Sequence, residues 1–69
     1  MKTEFADNLV YYRKQYSLTQ ADLADLLLVS QATVSKWESG CNEPYLYNLK
    51  NLADLFDVPI DILVGRKDF

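Results

Sequence analysis

The sequence predicts an all-α domain of five short helices, and three observations carry that expectation. Apolar residues recur at three- and four-residue spacing through most of the chain, and no stretch holds the alternation of a strand. Ser or Thr stands just ahead of several of these stretches, where helix-starting side chains belong. Glycine and proline occur only at Gly40, Gly65, Pro44 and Pro59, at the edges of the periodic stretches and never inside them.

Thr3 is the expected N-cap of a first helix reaching about Tyr16, with Phe5, Leu9, Tyr12 and Tyr16 on one face. Arg13 and Lys14 sit near its end, where cations suit the helix dipole. Thr19 opens a second helix to about Leu27, and Asp22, three residues on, completes a capping-box pattern. Leu23, Ala24 and Leu27 should face inward. Ser30 caps a third helix from Gln31 to about Glu38, with Val34 and Trp37 inward and Gly40 as its stop. Pro44 is expected to open a fourth helix with Leu46, Leu49, Leu52, Ala53 and Phe56 inward. Pro59 starts a last short helix, Ile60 to Val64, closed by Gly65.

A chain of 69 residues makes one domain at most, residues 1–69. Its 49% hydrophobic and 25% charged residues suit a packed core. Cys41 is the single cysteine and histidine is absent, which excludes an internal disulfide and a Cys/His metal site. The same absence removes the usual general base, and Cys41 has no obvious activating partner. No catalytic residue, metal or cofactor is therefore expected, and a domain this small leaves little room for a small-molecule effector. No apolar run approaches the roughly 20 residues of a membrane span, and no signal-peptide layout opens the chain. A reduced, soluble, cytoplasmic protein is the expectation.

The stretch from Leu18 to Glu38 is the most informative. Two short capped helices separated by two or three residues must meet at a steep angle, so the second can project from the domain. A major groove is wide enough to admit one such helix. Its outward residues would be Gln31, Ala32, Thr33, Ser35 and Lys36. Glutamine can bond adenine, alanine and threonine can touch a thymine methyl, and lysine can reach guanine. Against this stands a net charge of −3, seven cations facing ten carboxylates, which limits any charge-driven grip on phosphates.

Leu18-Thr19-Gln20, Leu23-Ala24, Val29-Ser30, the run Thr33 to Glu38, Gly40 and Pro44 together resemble the phage repressor and Cro-like helix-turn-helix family. The likeness extends through Leu49, Leu52-Ala53, Val58 and Asp61 to Leu63, and so covers roughly residues 5–65, with the helix-turn-helix at about 19–38. It implies a lambda-repressor-like fold of five helices and binding to double-stranded DNA, with regulation of transcription, most simply repression. By the same resemblance Gln20 bonds a phosphate and braces the recognition helix, and Gln31, Ala32, Thr33 and Lys36 face bases. Ser35 and Asn42 lie where backbone contacts are made, and Arg13 with Glu38 forms a structural ion pair. The resemblance further implies a homodimer on a palindromic operator, paired through the last helices, here Ile60, Ile62, Val64 and Phe69.

Ser17, Leu28 and Asp57 stand where the family often has glycine, at turns that favour a positive φ. Leucine suits that conformation worst, so burial of Leu28 is expected to offset the strain. Leu26, Val10, Tyr11, Tyr45 and Tyr47 add apolar groups to the surface and point to a contact with a second copy or another protein. The alternative function is accordingly a protein-interaction module, an antirepressor or adaptor, or an antitoxin that keeps the fold.

Overall fold

The ends of the helices set the architecture. The computed structural model describes residues 4–65, and these form α1 (Glu4–Gln15), α2 (Gln20–Leu27), α3 (Gln31–Ser39), α4 (Leu46–Phe56) and α5 (Ile60–Leu63). No strand occurs among the described residues, so the fold is the expected all-α one. Thr3 and Phe69 lie outside the described residues.

Four helices end in one way. Ser17, Leu28, Gly40 and Asp57 all take a left-handed backbone, with φ of 57°, 59°, 82° and 56°. The amide that follows each of them reaches back to a carbonyl five residues earlier: Leu18 to Arg13, Val29 to Ala24, Cys41 to Lys36, Val58 to Ala53. This closes carbonyls the helix itself cannot satisfy. It also reverses the chain, and after α1, α2 and α4 the residue delivered inward is apolar. Leu18, Val29 and Val58 all pack on the core.

Here the expectation for Leu28 is corrected. Its side chain is 91% exposed, so no burial within the chain offsets the left-handed strain. The apolar anchor of that turn is its neighbour Val29.

The core joins all five helices through Phe5 and Leu9, Leu23, Val34 and Trp37, Leu52 and Phe56, and Leu63. Helix α1 and Tyr16 just beyond it also supply polar ties to the ends of α4 and α5. The Tyr16 hydroxyl donates to the Phe56 carbonyl at 3.0 Å, and the Asn8 amide donates to the Ile62 and Leu63 carbonyls at 3.2 and 3.1 Å. The Phe56 and Leu63 carbonyls lie at helix ends, where intrahelical donors run out, and the Ile62 carbonyl also accepts the Gly65 amide at 3.2 Å.

Three other expectations change. Helix α4 begins at Leu46, because its first acceptor is the Tyr45 carbonyl; Pro44 stays in the preceding loop. Leu46 is exposed, not inward. Ile62 is buried in its own chain, which removes it from any pairing surface, while Ile60 and Val64 are half-buried against the core. Pro59 caps α5 from just outside it, and Val64 ends it.

A leucine held in the left-handed region costs about 1–2 kcal/mol, of which glycine recovers most at some expense in unfolded-chain entropy. Leu28→Gly is expected to stabilise the chain by about 1 kcal/mol, a rise of about 4–8 °C in melting temperature. Circular dichroism melts at low and high protein concentration check this. A fall in stability confined to high concentration would mean that Leu28 is covered by a partner.

Candidate nucleic-acid interface

Helix α2 starts with a complete capping box. The Asp22 amide donates to the Thr19 hydroxyl at 3.0 Å, and the Thr19 amide donates to the Asp22 carboxylate at 2.9 Å. Those Thr19 bonds hold the Asp22 carboxyl below its ordinary 3.8. Helix α3 starts similarly: the Thr33 amide donates to Ser30 Oγ at 3.1 Å, and the two hydroxyls lie 2.9 Å apart. Between the caps the chain turns at Leu28, and α2 and α3 pack through Leu23, Val34 and Trp37.

The angle between these helices is held by Glu38. Its carboxylate takes Arg13 Nε at 2.6 Å and Arg13 Nη2 at 3.1 Å, while Gln20 Nε2 donates to the same Oε1 at 3.0 Å. Arg13 Nη1 donates to the Leu18 carbonyl at 2.9 Å, just ahead of the Thr19 cap. One carboxylate therefore ties the last turn of α1 and the first of α2 to the last turn of α3. The Arg13 and Glu38 side chains are only 13% and 7% exposed, so the pair is not the weak surface bridge that its residue types alone suggest. Bonding to Glu38 holds the guanidinium above its ordinary value against the opposing effect of burial.

The outer face of α3 carries Gln31, Ala32, Ser35 and Lys36, all exposed. Thr33 departs from the expected set. It is half-buried at the edge of that face, with its hydroxyl engaged by Ser30. Asn42 is exposed in the loop after α3, where its backbone N–H donates to the Lys36 carbonyl at 3.4 Å. Lys36 is the sole charge on the outer face, Glu38 being buried and paired.

Beside Thr33 lies an open groove of about 510 Å³, with Val29, Trp37, Asn42, Tyr45, Tyr47 and Asn48 among its walls. Sequence reasoning passed over Asn48, which is 3% exposed and whose side-chain oxygen has no hydrogen-bond partner. A signal existed: Asn48, Leu52 and Phe56 are spaced by four, on one helical stripe.

Two short capped helices joined by a tight turn, tied to α1 through Glu38 and leaving a polar helix face open, have the form of a helix-turn-helix. A model of the helix-turn-helix family matches residues 9–63, and the chain belongs to that family. Over 65 residues it is 40% identical to the HTH-type transcriptional activator BcrR of Enterococcus faecalis, a match covering 94% of this chain and 32% of that protein. Over 60 residues it is 38% identical to the cryptic phage CTXphi transcriptional repressor RstR of Vibrio cholerae, covering 87% of this chain and 54% of that one. The chain thus spans about a third to a half of these relatives' lengths. Among solved structures, a transcriptional regulator from Listeria innocua superposes with a TM-score of 0.89 at 35% identity, over 100% of this chain and 64% of that one. No helix among the described residues is long and apolar enough to cross a membrane.

Two outcomes follow. Removing one partner of a buried pair strands the other charge, so Glu38→Ala is expected to lose about 3–5 kcal/mol, read by urea unfolding. A double Arg13→Met, Glu38→Leu variant should regain most of that loss. Asp22, with its lowered carboxyl pKa, contributes stability that is complete above the ordinary 3.8 and is lost as pH falls through the lowered value. Asp22→Asn should flatten that acid limb of a stability-against-pH curve.

Proposed function

We propose that this chain is a sequence-specific reader of double-stranded DNA, the binding part of a transcriptional regulator that represses by occupying its site. The observation that carries this reading is the outer face of α3. It is fully exposed, lacks any carboxylate, and is braced from behind by Glu38. Gln31, Ala32 and Lys36 on that face are assigned to bases; Thr33, at the edge, contributes its methyl at most. Gln20, at the start of α2, and Ser35 and Asn42 are assigned to the phosphate backbone. One amide hydrogen of Gln20 is used on Glu38, which leaves the second for a phosphate oxygen.

Cations are few. Among the described residues Lys14, Lys36 and Lys50 are the ones outside an ion pair. A single copy should therefore bind weakly, and useful affinity requires a homodimer reading half-sites about one helical turn apart on a palindrome. No cofactor or catalytic step is assigned, and the cytoplasm is the compartment of action.

A second reading, an antirepressor, adaptor or antitoxin module, is favoured by the exposed Tyr11, Leu26 and Leu28 together with the acidic net charge. Selection of bound sequences from random duplexes at low salt separates the two. Recovery of a palindrome supports the reader, and recovery of nothing supports the module. On the recovered site, Gln31→Ala and Lys36→Ala are each expected to relax preference at one base position, at a loss of about 1–3 kcal/mol.

A further inference from the structure

The small core leaves no expectation of a small-molecule site, but the groove beside α3 lies outside that core. Its volume of about 510 Å³ falls within the range of small-molecule sites. Its walls include three aromatic residues, one carboxylate and one buried carboxamide.

Three features of this groove call for a ligand of one kind. The Asn48 side chain is 3% exposed and its oxygen has no hydrogen-bond partner, so the wall holds an acceptor that lacks a donor. Glu43 is the charged residue of the walls, and among the described residues no cation is paired with it. Tyr45 and Tyr47 are 73% and 61% exposed, yet their rings are ordered against each other, 6.0 Å apart and 18° from parallel. A solvent-facing aromatic pair contributes little to the core. With Trp37 in the same walls, it supplies the electron-rich rings that attract cations. An unfilled acceptor, a negative charge and aromatic rings together select a cation that carries N–H groups. One element opposes this. The start of α4 bears the positive end of the helix dipole, worth about half a charge, and Glu43 sets a full negative charge against it.

We propose that the groove is a binding site for a small organic cation, a primary alkylammonium held by Glu43, Asn48 and the rings of Trp37, Tyr45 and Tyr47. The ammonium donates to the Glu43 carboxylate and to Asn48 Oδ1, and its alkyl chain lies against the rings. Thr33, at the edge of the outer face of α3, also lines the groove, so the site adjoins the surface assigned to bases. When α3 enters a duplex, Glu43 repels the neighbouring phosphates. A bound cation cancels that charge, so cation and duplex strengthen each other's binding. Only this coupling rests on the DNA-reading function above; binding of the cation does not.

Trp37 is the single tryptophan and lines the groove, so its fluorescence reports binding in the DNA-free protein. n-Butylammonium chloride is titrated at constant ionic strength, and a saturable change in the millimolar range is expected. Tetramethylammonium, which has no N–H, and 1-butanol, which has no charge, should bind at least about tenfold more weakly. Glu43→Gln and Tyr45→Leu/Tyr47→Leu should each weaken butylammonium by about the same factor. All three residues are exposed, so unchanged melting temperatures will show that these variants fold. Asn48→Leu is expected to raise the melting temperature, by removing a buried acceptor without a partner, and to cut the preference for butylammonium over tetramethylammonium. On the duplex recovered by selection, saturating butylammonium should raise affinity about fivefold over the same concentration of sodium chloride. Glu43→Gln should bind that duplex more tightly than the wild type and gain nothing from the cation. The absence of a saturable change, or equal responses of the wild type and Glu43→Gln, overturns the site. Equal responses to butylammonium and butanol also overturn it, by marking a merely apolar groove. A saturable response without a gain in duplex affinity overturns the coupling. Failure to bind any duplex at low salt overturns the DNA reading and leaves the cation site supported by the fluorescence titration.

Discussion

Glu38 carries a carboxylate out of water, and the arrangement of the first three helices follows from how that charge is accommodated. An isolated buried carboxylate is unfavourable by several kcal/mol unless its lone pairs are filled. Here three N–H groups fill them, two from Arg13 and one from Gln20. Each must arrive from a fixed direction, so the requirement propagates outward. Arg13 fixes the last turn of α1, its third nitrogen fixes the Leu18 carbonyl, and Gln20 fixes the first turn of α2. Helices of eight and nine residues are too short to be stable alone. Their crossing is set by this polar junction and by the packing of Leu23, Val34 and Trp37. The bond to Gln20 makes the same carboxylate the link between the structural pair and the first turn of α2.

The left-handed turns form the second constraint, and they show what in this fold is legible from residue types. Helix starts were readable because capping chemistry is local: Thr19 with Asp22, and Ser30 with Thr33, need only a few residues of chain. The helix ends at Ser17, Leu28 and Asp57 could be placed, since those positions are commonly glycine in the family. Their energetics could not. The turn after α2 serves to deliver Val29 inward, and Leu28 tolerates its backbone because Val29 is packed. Which of two adjacent apolar residues faces the core depends on the path of the chain and not on hydrophobicity. The start of α4 was misplaced for a related reason. Proline favours first-turn positions, but here the Tyr45 carbonyl accepts the first helical bonds, two residues closer to the core stripe of Asn48, Leu52 and Phe56.

For the candidate interface, the outer face of α3 was legible because its exposed residues are the complement of Val34 and Trp37 in the helical period. Thr33 was not, since its position at the edge depends on the groove wall formed by residues 42–48, brought in from beyond the helix. The contact of Gln20 with Glu38 spans 18 residues and has no local signature. Asn48 was hidden by its helix: a polar residue amid leucines reads as a surface position until burial is known.

The acidic composition looks at first like evidence against a DNA reader, but net charge governs mainly the sequence-independent part of binding. Phosphate contacts position a protein, whereas contacts to base edges specify the site. In this chain the carboxylates of Asp22 and Asp25 stand on α2, and Asp54, Asp57 and Asp61 stand on or near the last two helices, while α3 presents Lys36 and neutral hydrogen-bonding groups. Such a distribution weakens attraction to arbitrary DNA more than it weakens a matched site, because arbitrary DNA offers only the phosphates. The ratio of specific to non-specific affinity decides occupancy among many competing sites. Few cations and a nearly neutral α3 face therefore cost raw affinity more than they cost discrimination between sites.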